Sequence, residues 1–361
     1  MSTMQRIIGQ TRAIDVLGSA LTSGRMHHAW IFHGPAGVGK ATTAVRIARI
    51  LLCHDPQTTL TGQPEACGAC ASCKLIDQPD AAHNDLHIVT KELALFSDNA
   101  AVRGRKLMSI PVEVIRDHVL TPAYRSAAMN HNKVIIIDEA ELLNDTSQNT
   151  LLKCLEEPPA GTYLFLITSQ EDRLLPTIRS RCQRVPFALL TDEQVETWLS
   201  DQPFAESMGA DERQWIARFA RGSLGQATLA AEYGLDEWYR TLEPLIKQAG
   251  GGRPVIELGP MMAQRVEAFA KAWVDNHKNA SKDAANKAGV RHLFGVLGEI
   301  CRTQLRAART VDDEAAAEPW LAGVDLLQEA ERDLYSNVNV ALLLDNLAIQ
   351  WSARTPHPAG R

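Results

Sequence analysis

His33-Gly34-Pro35-Ala36-Gly37-Val38-Gly39-Lys40-Ala41 is the stretch that decides the fold of this chain. The apolar run before it, Ala29-Trp30-Ile31-Phe32, reads as a buried strand. The segment after it, Thr42-Thr43-Ala44-Val45-Arg46-Ile47-Ala48-Arg49-Ile50, repeats its apolar residues at helical spacing. Strand, glycine-rich turn, lysine and helix are the setting of a phosphate-binding loop. Gly34, Gly37 and Gly39 let backbone N–H groups curl around phosphate oxygens, and the helix N-terminus adds a favourable dipole. Lys40 would reach the β- and γ-phosphates. One position departs from the pattern. The residue after the lysine should carry a hydroxyl for Mg2+, and here it is Ala41. Thr42 has a hydroxyl one position late, where a regular helix turns it away from the phosphates. Two readings stand side by side: a nucleotide site with weak or absent ATP/Mg2+ binding, and a phosphate-loop fold kept as a scaffold without turnover.

The partner of such a loop is an acidic strand end. Lys133-Val134-Ile135-Ile136-Ile137-Asp138-Glu139 is a run of β-branched residues that ends in two carboxylates. Asp138 there would contact Mg2+ through water, and Glu139 would polarise an attacking water. Tyr163-Leu164-Phe165-Leu166-Ile167 is a further buried strand, and Thr168 at its tip could orient that water. With Leu86-His87-Ile88-Val89 and Arg184-Val185-Pro186-Phe187, strands alternate with helical segments, as in a parallel α/β sheet.

Between the loop's helix and the next strand, residues 53–80 turn rich in Pro, Gly, Asp and Cys and lose periodicity, which marks an insertion. It holds Cys67-Gly68-Ala69-Cys70-Ala71-Ser72-Cys73, with Cys53 at the end of the preceding helix. Four cysteines at this spacing suit tetrahedral thiolate binding of a structural Zn2+. Four protein ligands leave no open position, so no catalytic role follows. His83 and His87 read as structural or surface residues, and Cys154 and Cys301 as core thiols. Clustered arginines close the α/β region in Leu174-Leu175-Pro176-Thr177-Ile178-Arg179-Ser180-Arg181-Cys182. They read either as helix-capping and surface groups or as the source of an arginine finger for a neighbouring subunit.

Beyond Leu190 the pattern is helical throughout. Thr191-Asp192-Glu193-Gln194 is a capping signal, and helices are expected near 191–200, 208–220, 222–232, 235–249, 260–280, 287–309, 319–332 and 337–352. The tail from Thr355 is expected to fray. The 361 residues are enough for two to three domains. A net charge of −6 argues against a general nucleic-acid binder, so any DNA contact needs a local basic patch. The first residues lack a signal-peptide apolar run, and no apolar stretch approaches the roughly 20 residues of a membrane helix. A soluble, cytoplasmic protein without a membrane partner is expected. In that compartment seven cysteines mean metal or buried thiols rather than disulfides.

Together these pieces resemble the AAA+ ATPases of the bacterial clamp loader. The residues that carry the resemblance are Ile8-Gly9-Gln10, the phosphate loop with its four-cysteine insert, and the acidic strand end. Asn149-Thr150-Leu151-Leu152-Lys153-Cys154-Leu155-Glu156-Glu157-Pro158-Pro159 and Ser180-Arg181-Cys182 complete it. It is close over residues 5–190 and rests on helical layout beyond. The resemblance implies a P-loop, RecA-like parallel-sheet domain with a zinc insert at 1–190, a helical lid at 191–234 and an all-α collar at 235–361. It implies partners, namely tau/gamma and delta subunits of DNA polymerase III, and through them the sliding clamp and primed DNA. It makes Thr168 the nucleotide sensor of the sheet domain and Arg181 an arginine finger acting in trans. The family has ATP-hydrolysing motor subunits and a stator whose own site is often degenerate. Ala41 points to the stator, and so does Gln226 in Gly222-Ser223-Leu224-Gly225-Gln226-Ala227, where motor lids carry an arginine. The competing expectations are a tau/gamma-type motor, whose turnover would depend on Lys40 and Glu139, and a small-molecule kinase, which would not need the helical half. Nothing in the chain resembles a polymerase active site, so a polymerase classification could come only through the holoenzyme.

Overall fold

The computed structural model describes residues 7–59, 62–78, 82–99, 103, 109–129, 132–276, 281–310, 314–334, 336 and 338–354. The expected fraying from Thr355 onward lies outside these residues. The chain divides into two compact units, Met1–Glu206 with Ala220–Gln226, and Ser207–Phe219 with Ala227–Arg361.

The first unit is built on five parallel strands: β1 (Ala29–His33), β2 (Leu86–Val89), β3 (Lys133–Ile137), β4 (Thr162–Thr168) and β5 (Gln183–Pro186). They lie in the order β2-β3-β4-β1-β5. The registers Ala29↔Leu164 through His33↔Thr168 and Ile137↔Leu166 bring the C-terminal ends of β1, β3 and β4 to one edge. Everything that follows β1 and β3 in sequence therefore emerges there, where α/β sheets bind ligands. β3 is buried at every position, as its unbroken β-branched run requires of a strand covered on both faces. On one face Ile31, Ile135, Ile137, Leu164 and Leu166 pack with Val114, Ile115, Val119, Leu151 and Leu155 in a single cluster. Each such side chain contributes roughly 1.5–3 kcal/mol of burial, so Ile135→Ala would cost about 2–5 kcal/mol. Phe32, whose ring meets those of Phe165 and Phe187, belongs to the alternate face.

Helix α1 spans Thr11–Thr22, and α2 (Lys40–Leu51) covers the segment whose spacing predicts a helix; α2 packs on β3 and β4 through its small and apolar positions Ala44, Ile47 and Ala48. Residues 53–80 differ from the irregular insert that their composition suggests. They contain a two-strand ribbon, Gln57–Thr58 with Pro64–Glu65, and a short helix α3 (Ala71–Ile76). Six residues hold too little of a helical repeat to register as periodicity, and the N-cap of α3 is a cysteine rather than a usual capping residue. Lys91–Phe96 forms a 3-10 helix. The helical stretch Val112–Tyr124 carries a π-turn at Arg116–Leu120 that spacing rules do not foresee. Helix α4 (Asp145–Glu156) starts on the Asn144 side chain, which accepts from Ser147 N–H, and stops before Pro158-Pro159.

The second unit is helical. Its main helices are Leu235–Gly250, Leu258–Asn276, Lys282–Thr310, Glu314–Leu334 and Val340–Arg354. Lys282–Thr310 packs against both Leu258–Asn276 and Glu314–Leu334. At Gly323 a Cβ would lie 2.9 Å from the Trp351 ring, so that crossing needs the smallest residue. Among the described residues no helix is long and apolar enough to cross a membrane.

Candidate functional site

The loop after β1 has the backbone that its glycines foretell. Gly34, Gly37 and Gly39 have φ of 137°, 73° and 93°, and Gly39 is the left-handed N-cap of α2. A Cβ on Gly34 would come 2.1 Å from the Phe187 carbonyl oxygen. Lys40 is buried, and its Nζ donates to the carbonyl oxygens of Gly34 at 2.7 Å and Pro35 at 2.6 Å. Burial lowers the lysine's pKa, and the nearby Glu141 and Asp138 carboxylates work against that fall. Ala41 and Thr42 line an outer groove with Val45, Arg46 and Asp138. Thr42 is exposed there, and Thr43, the next hydroxyl, donates to the Gly39 carbonyl at 2.8 Å.

The loop is also covered. The Gly225 N–H donates to the Gly37 carbonyl at 3.0 Å, and a Cβ on Gly37 would lie 2.2 Å from Ser223 Oγ. This approach of 223–225 to the loop requires glycine at 37 and leaves little room for a side chain at 225, where a Cβ would lie 3.2 Å from the Gly37 Cα, a pairing not legible from either segment alone. Gln226, one residue further, is exposed, and its N–H donates to Ser223 Oγ.

Asp138 follows β3 at the same edge as the loop. Burial raises its carboxyl pKa, with Glu139 and Glu141 adding to the rise, while the Glu139 N–H and Lys40 oppose it. Glu139 holds a left-handed backbone, φ 50°, and its Oε1 is 2.8 Å from Lys91 Nζ. Thr168 is buried and accepts from the Gln170 N–H at 3.0 Å. Glu141 is the acidic residue that bonds the strand tip beside it: burial pushes its pKa up, but donors from Ser169 and Thr168 outweigh that and lower it. Lys91 and Glu141 escape a motif reading, though Lys91 stands two residues past β2 and so had to emerge at this edge. His33 at the mouth of the loop pairs with Glu171 at 3.4 Å, and Arg184 bonds the same carboxylate.

The four cysteines of the insert do converge. The sulfurs of Cys53, Cys67, Cys70 and Cys73 all lie within 4.8 Å of one another, and Cys53 and Cys70 are 4.0 Å apart. Zn–S bonds of about 2.3 Å in a tetrahedron put sulfurs about 3.8 Å apart, so the set fits Zn2+. Backbone N–H groups of Cys67, Cys70 and Cys73 point at the sulfurs of Cys53, Cys67 and Cys70, at 3.3, 3.4 and 3.4 Å, as thiolate ligands favour. The cluster is fastened to the sheet by Ser72, which is fully buried. Its hydroxyl donates to the Leu52 carbonyl at 2.7 Å and meets His83 Nε2 at 2.8 Å. The Asp85 N–H donates to His83 Nδ1 at 3.0 Å, so both nitrogens of His83 are engaged away from the cysteines.

Arg181 sits at the other end of the sheet. It lies two residues before Gln183, whose register partner is Trp30 near the start of β1, whereas the phosphate loop leaves the end of that strand. Its Nη1 donates to the Thr177 carbonyl at 3.0 Å, and its Nη2 lies 2.8 Å from Oε1 of Glu156. His27, His28, Ser180 and Gln183 line the same open concavity. Cys182, beside it, is packed so that burial raises its thiol pKa to about 12.

Comparison with known proteins gives the family of the chain. The family model for "DNA polymerase III, delta subunit" matches residues 9–191. The DNA polymerase III subunit tau of Escherichia coli is 29% identical over 332 residues, 88% of this chain and 46% of that protein, so the chain spans under half of that relative. The subunit delta' of Escherichia coli is 32% identical over 345 residues, 90% of this chain and 95% of that protein. Among solved structures, a DNA polymerase III gamma subunit-related protein from Thermotoga maritima is 17% identical with a TM-score of 0.46, over 94% of this chain and 99% of that one.

Proposed function

The chain belongs to the DNA polymerase III clamp-loader family of delta', gamma and tau subunits, and on that premise we propose that it is a delta'-type stator. In this role it braces a complex with tau/gamma and delta subunits that loads the sliding clamp on primed DNA, in the cytoplasm at the replisome. Its own chemical contribution is Arg181, offered to the ATP site of an adjacent tau/gamma subunit. Such a finger neutralises charge on the transferring phosphoryl group.

The observation that carries this reading is the separation of Arg181 from the chain's own phosphate loop. The two stand at opposite ends of β1, whose five residues span about 15 Å. An arginine at that end serves a neighbour's nucleotide rather than its own. Ala41 supports the same division of labour, because the loop lacks the hydroxyl that would hold Mg2+. Gly34, Gly37, Gly39, Lys40, Thr42 and Asp138 then form a weak or optional nucleotide seat, with Glu139 and Thr168 as retained parts of it. Cys53, Cys67, Cys70 and Cys73 would hold one Zn2+, which ties the insert together and takes no part in turnover.

A tau/gamma-type motor is the second reading, favoured by the 29% identity to the tau subunit over most of this chain. Turnover by the isolated chain separates the two. The stator reading expects no ATP hydrolysis alone, hydrolysis on mixing with tau/gamma and delta, and a large fall in the mixture with Arg181→Ala. Hydrolysis by the isolated chain that Lys40→Ala abolishes would establish the motor instead.

A further inference from the structure

We infer that Glu156 is a positioning residue for Arg181, fixing where its guanidinium stands when it meets a neighbour's nucleotide. The inference rests on the trans-acting role of Arg181 proposed above. Glu156 is the last residue of α4, a place where the helix dipole disfavours a carboxylate. The Arg181 guanidinium offsets this from 2.8 Å away. Glu156 does not stand on a loose end. Pro158-Pro159 stop the helix just beyond it, Leu155 is buried, and His28 Nε2–H donates to the Leu155 carbonyl at 3.0 Å. That bond ties the end of α4 to the residue preceding β1. Arg181 has five N–H donors in a rigid fork. The Thr177 carbonyl and Ser180 Oγ take Nη1, and Glu156 takes Nη2. The guanidinium is thus held on two sides while a third of the side chain, 36%, stays open to the concavity. A free arginine would lose rotamer entropy on reaching a phosphate, whereas one held this way has lost most of it beforehand.

The test uses the full complex assembled with tau/gamma and delta subunits, with assembly checked by gel filtration. Glu156→Ala is expected to lower the kcat of ATP hydrolysis about fivefold, the scale of one partly exposed ion pair, with KM unchanged. Glu156→Gln, which keeps an acceptor oxygen, is expected to recover part of that loss. In an Arg181→Ala background Glu156→Ala should cost nothing further. If Arg181→Ala slows the complex while Glu156→Ala leaves kcat alone, or costs the same with and without Arg181, the positioning role is overturned and the finger stands. If Arg181→Ala itself leaves turnover unchanged in an intact complex, both the finger and this inference fall.

Discussion

Lys40 donates from its Nζ to the carbonyl oxygen of Gly34 at 2.7 Å, so the lysine of the phosphate loop is bonded to the loop itself. Phosphate would have to replace this bond and the one to Pro35. Without a hydroxyl at position 41, Mg2+ adds little to that exchange. Ala41→Ser is therefore expected to raise ATP affinity about tenfold in the presence of Mg2+ and to change nothing in EDTA, the effect of one added charge-assisted contact. Titration of a fluorescent ATP analogue into both proteins measures this. Equal gains with and without Mg2+ would mean that the missing hydroxyl is not what weakens the site.

Zinc makes a separate prediction. Elemental analysis of the purified chain is expected to give about one Zn2+ per chain. Cys67→Ser should remove it and lower the melting temperature of the first unit by several degrees, because the insert then loses its cross-link. A chain that melts identically with and without metal would leave the four sulfurs as incidental neighbours.

Part of this was legible in sequence and part was not, for definite reasons. The phosphate loop and the cysteine set are local: Gly34 to Lys40 and Cys67 to Cys73 bring their atoms together through short-range geometry, so spacing reveals them. β3 and β4 are runs of buried β-branched and aromatic residues, and their length and composition mark them. Glu156 and Arg181 are a different case. They are 25 residues apart, and only the ends of α4 and β5 meeting at one edge of the sheet bring them together. The same holds for Lys91 with Glu139 and for Gly225 with Gly37, where one partner carries a motif and the other carries no local signal. Helix α3 was hidden because it is only six residues long and its N-cap is Cys70 rather than a usual capping residue.

The link between the insert and the sheet can be tested at Ser72. His83 Nδ1 accepts from the Asp85 N–H, so Nε2 carries the ring proton and donates to Ser72 Oγ, which in turn donates to Leu52. Ser72→Ala takes the acceptor from the buried His83 N–H and removes the Ser72 donor to the Leu52 carbonyl. A buried group that loses its partner costs about 1–3 kcal/mol, so the variant should unfold in urea with a loss of about 2 kcal/mol while still binding zinc. Loss of zinc without loss of stability would place Ser72 in the metal site rather than in this tie.

His292 supplies the pH dependence of the helical unit. It lies on Lys282–Thr310 with its ring centroid 5.1 Å from that of Phe269, and burial, aided by Arg291, lowers its pKa to about 4. The unfolded chain titrates its histidines near 6.5. Between these values the unfolded state binds the proton and the folded state does not, so protonation favours unfolding. The contribution is fully present above about pH 6.5 and is lost progressively as pH falls toward 4. The shift corresponds to a loss on the order of 3 kcal/mol over that window. Urea unfolding from pH 7.5 to 4.5, followed by the tryptophan fluorescence of the helical unit, measures it. His292→Leu keeps an apolar side chain against Phe269 and carries no titrating group, so its stability should fall less over the same range. An unchanged pH slope in that variant would assign the acid sensitivity of the helical unit to groups other than His292.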